Sequence, residues 1–515
     1  MKKIFAIVLV LLMLLPMIAS CNKNPPEESS SSEQSQQSQS QQPSESQKPQ
    51  TPSGDSEGKR GAGNGFSSKD TVLDSWSGKT LNVLVTDYSG AIGVWSQVEL
   101  DASAFGETIK ANYDDRQAEI LDKYGVTVNW IRAQRPQNVV DDLTTASTSQ
   151  SASYEIAYPR ATEVQALVAL VYDMNNSEYL DFNQSYFNQA SYDTYTVYNH
   201  TLFVAGDFDY NDEQVSYMLF LNKDMLGDYG IESDTLYQAV KDGSWTYETL
   251  KNISRNVSSD NGDGQPGDED TYGFATKSFS RFYTYAGILE SDVDPDTTAY
   301  RVALNLDEEK VAKVIENIIE CKTSTWARGT WGGSWGSHAT EAFVDQRVLF
   351  LDEVAQNFDH LGTITFSLGV LPFPKLNEEQ DRYYTPLSNA QTTFVCVPKA
   401  TSDKDFSFYF VDVLAWTGEK YMIPAYIEDR VIAKLDIETA DEDVKIIQDY
   451  IFDNIVYDAG YLSSGWAGFL DGVKNDSHAN NTNNFTQAFG NASEQAMTTL
   501  EGWNIAWSNY YEDIE

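Results

Sequence analysis

Cysteine and histidine are scarce in this chain. Of 515 residues three are cysteine (Cys21, Cys321 and Cys396) and four are histidine. So few cysteines exclude a small disulfide-stapled scaffold, and the spacing leaves open whether Cys321 and Cys396 pair. His200, His338, His360 and His478 show no HxxxH pattern, and there is no CxxC; a His/Cys metal centre is not expected. Basic charge is also short. Lys and Arg number 35 against 77 Asp and Glu, a formal net charge of −42. Such a surface repels nucleic acid and anionic lipid, and it favours a soluble monomer. No P-loop, GxSxG element or GxGxxG opens a plausible helix. Beyond the first 20 residues no apolar run is long enough to span a membrane.

What is present starts at the first residue. Lys2 and Lys3 precede an apolar run from Ile4 to Leu15, and Ile18-Ala19-Ser20 lead to Cys21. A charged start, a short apolar core and small residues at the cut describe a secretory signal peptide over 1–20. A cysteine directly after the small residues resembles a bacterial lipobox. That reading makes Cys21 the lipidated first residue of the mature chain; the alternative is an ordinary signal with an incidental cysteine. Asn22 to Gly65 is Ser, Gln, Pro, Glu and Gly with almost no apolar residue. Such composition cannot offset chain entropy by burial, so 21–70 is expected to be a disordered tether. A flexible chain of this length spans roughly 40 Å. Lipid plus tether predicts a palmitate-type membrane anchor on the extracytoplasmic face.

The body carries 41% hydrophobic residues, with 30 Tyr, 24 Phe and 11 Trp, enough for two or three domains. Strands are expected at 79–87, 126–132 and 154–158, alternating with helices at 108–123 and 138–147. This β-α-β-α-β order predicts a mostly parallel sheet covered by helices. Further strands are expected at 201–205, 216–221, 348–351, 366–371 and 392–397. Helices are expected at 306–321, with Asn305 as N-cap, and at 406–416, 440–454 and 488–507.

Several segments together resemble one family, the lipid-anchored extracellular solute-binding proteins of ABC importers, carbohydrate-type branch. Tyr217–Asp224 (YMLFLNKD) is similar to its strand-to-helix element, and Gly243–Leu250 (GSWTYETL) to its turn into a helix. Phe366–Lys375 (FSLGVLPFPK) with Gln380 and Tyr384, then Pro424-Ala425-Tyr426, Lys434, Asp436 and Asp458, follow its later pattern. The resemblance implies an α/β, two-lobed periplasmic-binding-protein-like fold (type II) whose hinge has several crossings. It assigns 71–217 plus 352–397 to an N-terminal lobe and 218–351 plus 398–515 to a C-terminal lobe. Ligand would sit in the cleft between them, and a membrane permease would be the partner.

Two motifs bear on ligands. Ser259 to Asp270 resembles a calcium loop, with Gly264 at the sharp turn; Ser259, Asn261, Asp263, Gln265 and Asp270 would be the ligand positions. The alternative is an acidic surface turn with no cofactor. Trp326 to His338 (WARGTWGGSWGSH) interleaves tryptophan with glycine. Trp331 and Trp335 either stack on sugar rings or pack beneath the loop. Trp466, Trp95, Asp87 and Tyr88 carry the same two readings, and Asp207 and Asp209 either accept ligand hydroxyls or face solvent. The expected function is non-catalytic capture of a carbohydrate, an oligosaccharide first, for an importer. A surface glycosidase needs two facing carboxylates that no motif singles out; a peptide or another small polar solute is the other alternative ligand.

Overall fold

In the computed structural model the apolar segment Thr80–Val85 forms β1, its Leu81, Val83 and Leu84 fully buried. The structure describes residues 63–86, 106–133, 138–149, 154–175, 177–302, 308–329, 337–435, 440–463 and 485–512, all within the unit spanning 51–515. Helix α1 (Glu107–Tyr124) ends where Gly125 turns left-handed at φ 67° and donates its N–H to Leu121 O, a conformation glycine adopts without steric cost. Strand β2 (Thr127–Arg132), helix α2 (Val139–Ser149) and strand β3 (Ile156–Tyr158) follow. All three strands pair in parallel, in the order β2-β1-β3. Antiparallel bridges from Ala157 to Cys396 and from Val204 to Val395 continue this sheet with later segments of the chain. The expected strands at 201–205 and 392–397 thus take part mainly as isolated bridges.

The short helix α3 (Asn211–Gln214) leads to β4 (Tyr217–Asn222), and the Asn222 side chain caps helix α4 (Lys223–Asp228) by accepting from Met225 N–H. Next come α5 (Tyr247–Val257), β5 (Tyr272–Thr276), the hairpin β6 (Ser291–Val293) and β7 (Tyr300–Val302), α6 (Glu308–Thr323) and β8 (Ala327–Arg328). Strands β9 (Val348–Val354) and β10 (Leu368–Leu371) complete a second sheet, ordered β8-β5-β9-β4-β10. Strands β8, β5 and β9 are parallel, whereas β4 runs against both β9 and β10. Beyond β11 (Thr385–Pro386) lie α7 (Lys404–Tyr426), α8 (Ala440–Tyr450), β12 (Ile455–Val456), α9 (Ala459–Leu462) and α10 (Phe485–Glu512).

The chain passes between the sheets at 206–216, at 386–393 and through the C-terminal part of α7. The second and third passages divide the chain differently from expectation. All of β9 and β10 sit in the second sheet, so 352–371 belongs there, because β10 supplies an edge partner to β4. The first half of α7 packs on α1 and the first sheet: Phe406, Phe410, Val413 and Leu414 share a core with Val83 and Ile120. Arg116 of α1 is fully buried and donates from Nε to Thr417 Oγ1 (3.1 Å) and from Nη2 to Leu414 O (2.9 Å).

The tether boundary also moves. Ser68 donates both its N–H (2.8 Å) and its hydroxyl (2.6 Å) to the buried Asp412, whose other oxygen accepts from Tyr186 (2.7 Å). Phe66 and Trp76 join their rings to Tyr409 and Tyr179. Residues 63–70 are therefore part of the body, fastened by aromatic burial and one carboxylate. Cys321 and Cys396 are both free and buried, and burial pushes the Cys321 thiol up to about 12.

Helix α7 touches the first crossing through Gly418. A Cβ there would stand 1.7 Å from Asp207 O, and backbone has no rotamer with which to yield. Gly418→Ala is expected to cost about 3 kcal/mol, read as a lowered urea midpoint. An unchanged midpoint would mean that α7 can withdraw from the crossing.

Candidate functional site

Parallel strands end where side chains and loops can meet a ligand. In the first sheet the carboxyl end of β3 is Tyr158. It lines a small space with Asp209, Asp212 and Thr393, of about 10 Å³ and thus room for one water molecule. The Tyr158 hydroxyl is buried and lies beside the Arg116 guanidinium. In the second sheet the carboxyl end of β9 abuts the same crossing, since Ala355 N–H donates to Ser216 O and Gln356 N–H to Gln214 O, both at 2.8 Å. The carboxyl ends of strands from both sheets therefore converge on 206–216. Asp207 and Asp209 stand at the start of that segment, both half-buried. Asp209 accepts from Asn211 N–H (2.8 Å), an Asx turn that starts α3.

On the second-sheet side lies a polar group that the sequence reading missed. Asp352 is fully buried at the end of β9. It accepts from Arg281 Nη2 (2.9 Å), Thr276 Oγ1 (2.7 Å) and Tyr285 OH (2.6 Å). Burial pushes this carboxyl above the usual range, against the pull of Arg281 and the hydroxyls. The Arg281 guanidinium carbon lies 3.8 Å from the centre of the half-buried Tyr217 ring, a cation–π stack. Beside them Lys277 pairs with Glu353. The available signal was two acids, Asp352-Glu353, interrupting the apolar strand VLFLDEV. A buried charge pair of this kind is held by geometry rather than by net stabilisation.

A further carboxylate joins the two sides. Asp458 caps α9 and is buried, accepting from Glu290 N–H (2.6 Å), Ser291 N–H (3.2 Å), Ser291 Oγ (3.0 Å) and Gly460 N–H (3.0 Å). The motif residue thus has a structural part, tying the entry of β6 to the segment that follows β12.

Trp331, Trp335, Trp466, Trp95, Asp87, Tyr88 and Cys21 lie outside the described residues. In sequence Asp87 and Tyr88 follow the carboxyl end of β1, and Trp331 follows β8 closely.

The acidic loop is compact. Carboxylate oxygens of Asp260, Asp263 and Asp270 come within 4.8 Å of one another. Ser259, expected as first ligand, instead exchanges backbone hydrogen bonds with Thr271 (3.0 Å each way), and Asp260 takes its place. Asn261 accepts from Asp263 N–H (2.9 Å), and Gln265 turns its amide to Gly264 O (2.8 Å). Backbone N–H groups of Asn261 and Gly267 hold the Asp270 carboxyl below its usual range. Three converging carboxylates suit a hard cation such as Ca²⁺.

Among the described residues no helix is long and apolar enough to cross a membrane. No family model matches the chain, and no curated protein does. Solved structures do. A cyclo/maltodextrin-binding protein complexed with maltotetraose is 12% identical over 82% of this chain and 96% of its own, with a TM-score of 0.54. A cyclic α-maltosyl-1,6-maltose binding protein from Arthrobacter globiformis matches at 12% identity, 84% and 99% coverage and a TM-score of 0.49. The GacH receptor of Streptomyces glaucescens matches at 15%, 84% and 99%, and 0.47. At such identities the likeness is one of fold, and the first of the three carries it. The chain has the two-lobed α/β fold of solute-binding proteins such as the cyclo/maltodextrin-binding protein.

Proposed function

We propose that this protein is the substrate-binding component of an ABC importer, capturing a carbohydrate, an oligosaccharide first, between its two lobes for delivery to a membrane permease. The observation that carries this reading is the convergence of strand ends from both sheets on one crossing. That boundary is furnished with carboxylates, hydroxyls and the Tyr217 ring, the groups that meet sugar hydroxyls and sugar C–H faces. The fold likeness to a protein complexed with maltotetraose supports it. Asp207 and Asp209 are assigned to accept ligand hydroxyls; Trp331, Trp335, Trp466, Trp95, Asp87 and Tyr88 are assigned to the same site. The reading is one of binding without catalysis.

The test is a melting series with maltotetraose, other neutral oligosaccharides and peptides. A ligand that binds only the native state raises the melting temperature by mass action, and the sugar should be recovered intact. Asp209→Asn removes a charge-assisted acceptor worth about 1.5–3 kcal/mol, so affinity should fall roughly 10- to 100-fold. Trp331→Ala and Trp335→Ala should weaken binding as well. A shortened sugar would refute the binding reading, and a shift with peptide alone would replace the ligand class.

Residues 1–20 are assigned as a signal peptide and Cys21 as the lipidated anchor on the extracytoplasmic face. Several acyl chains hold firmly where one does not. Cys21→Ser should move the protein from the membrane fraction to the medium. Retention on the membrane would refute the anchor.

Asp260, Asp263 and Asp270 are assigned to a structural Ca²⁺. Millimolar Ca²⁺ should raise the melting temperature over that in EDTA, by an increment matching about 2.7 kcal/mol at a hundred times Kd. Asp263→Asn should abolish the increment. Equal melting with Ca²⁺ and EDTA would leave the loop an acidic turn.

A further inference from the structure

Four acids occupy seven residues of the first crossing: Asp207, Asp209, Asp212 and Glu213. The last two point inward. Asp212 is 7% exposed and Glu213 9%, and neither enters an ion pair among the described residues. Glu213 Oε2 is buried without a hydrogen-bond partner. Three passages of the chain between the sheets meet here. Asn211 donates to Gln391 O (3.3 Å) and accepts from Thr393 N–H (2.9 Å) of the second crossing. Ser388 N–H donates to Val215 O (2.9 Å), and Gln356 N–H to Gln214 O (2.8 Å). Helix α7 leans on Asp207 through Gly418.

Among the described residues no ion pair reaches either acid; Arg430, which acts on Tyr426, pairs with Asp359. The second crossing presents Ser388, Gln391 and Thr393, and the segment after β9 presents Gln356, all uncharged. Tyr457 lies beside Asp212, and α7 turns Tyr426 toward Glu213. The charged groups on the same segment are Asp207 and Asp209, of the same sign. The Arg116 guanidinium acts on Asp209 and Tyr158. A metal does not resolve the crowding, because the three acids whose ligand atoms converge among the described residues are those of the loop at 260–270. The neutral acid form does resolve it, by removing both the desolvated charge and the repulsion.

We infer that the first crossing is a proton-sensitive hinge: Asp212 and Glu213 are held as neutral acids where the crossings meet, and their ionisation loosens the junction between the lobes. Burial pushes Asp212 up to about 8 and raises Glu213 well above the carboxylate range. The folded state therefore keeps protons that the unfolded chain releases near pH 4. Stability from these groups is full below that value and falls as pH rises through about 8. The inference concerns the hinge and stands whatever the cleft binds.

The test uses the full chain without ligand. Backbone hydrogen exchange is followed at 207–217 and 387–393 from pH 6 to pH 9, each rate divided by its intrinsic value at that pH. In the native protein, protection should fall by up to about tenfold per pH unit for each proton released, while β1 and β9 change far less. In Asp212→Asn with Glu213→Gln, which keep the shape of the neutral acids, the profile should be flat. If the double variant does not fold, Glu213→Gln alone should halve the pH slope. A slope equal in native and substituted proteins, or a flat profile in the native protein, overturns the inference. Neither result bears on sugar binding.

Discussion

One asparagine holds two of the passages between the lobes in register. The carboxamide of Asn211 gives its N–H to Gln391 O and takes the N–H of Thr393, so the first crossing cannot slide along the second without leaving buried polar groups unmet. Around it, Ser216 bridges Leu387, and the backbone after β9 joins Gln214 and Ser216. The strand ends of both sheets are thereby set against one segment. The place of that boundary follows from backbone hydrogen bonding.

The molecule combines two kinds of polar burial. Asp352, Asp412 and Asp458 each accept three or more hydrogen bonds, and these satisfied carboxylates act as fasteners that join distant segments. Asp212 and Glu213 are buried with fewer donors and, among the described residues, no ion pair, and burial pushes both toward the neutral acid. The fasteners join segments distant in sequence, whereas the two acids of the crossing have few partners.

Much of the architecture was legible in the residues. The alternation of apolar strands and amphipathic helices over 79–158 gave the parallel β1-β2-β3 unit, because period and length separate a buried strand from a helix. The Asn-Lys-Asp element after β4 was legible for a local reason: Asn222 caps the helix it precedes. The lobe division after residue 352 was not legible. Whether β10 joins one sheet or the other depends on which edge is free, and that edge belongs to β4, 146 residues earlier by the pairing of Leu368 with Asn222. Nor could the tether's true end be read, since Ser68 is polar and is held by Asp412, 344 residues away.

Most of the elements, the acidic character, the compositional break before the body and the likeness of its motifs to a known family could be read from the residues, because these rest on local spacing and composition. The tertiary structure decided which carboxylates gather several donors and which are buried at the crossing with few. It also decided that Asp260, not Ser259, faces Asp263 and Asp270. The reason is physical: a carboxyl group's state depends on the donors, charges and water around it, and those neighbours arrive from segments that the chain brings together only on folding.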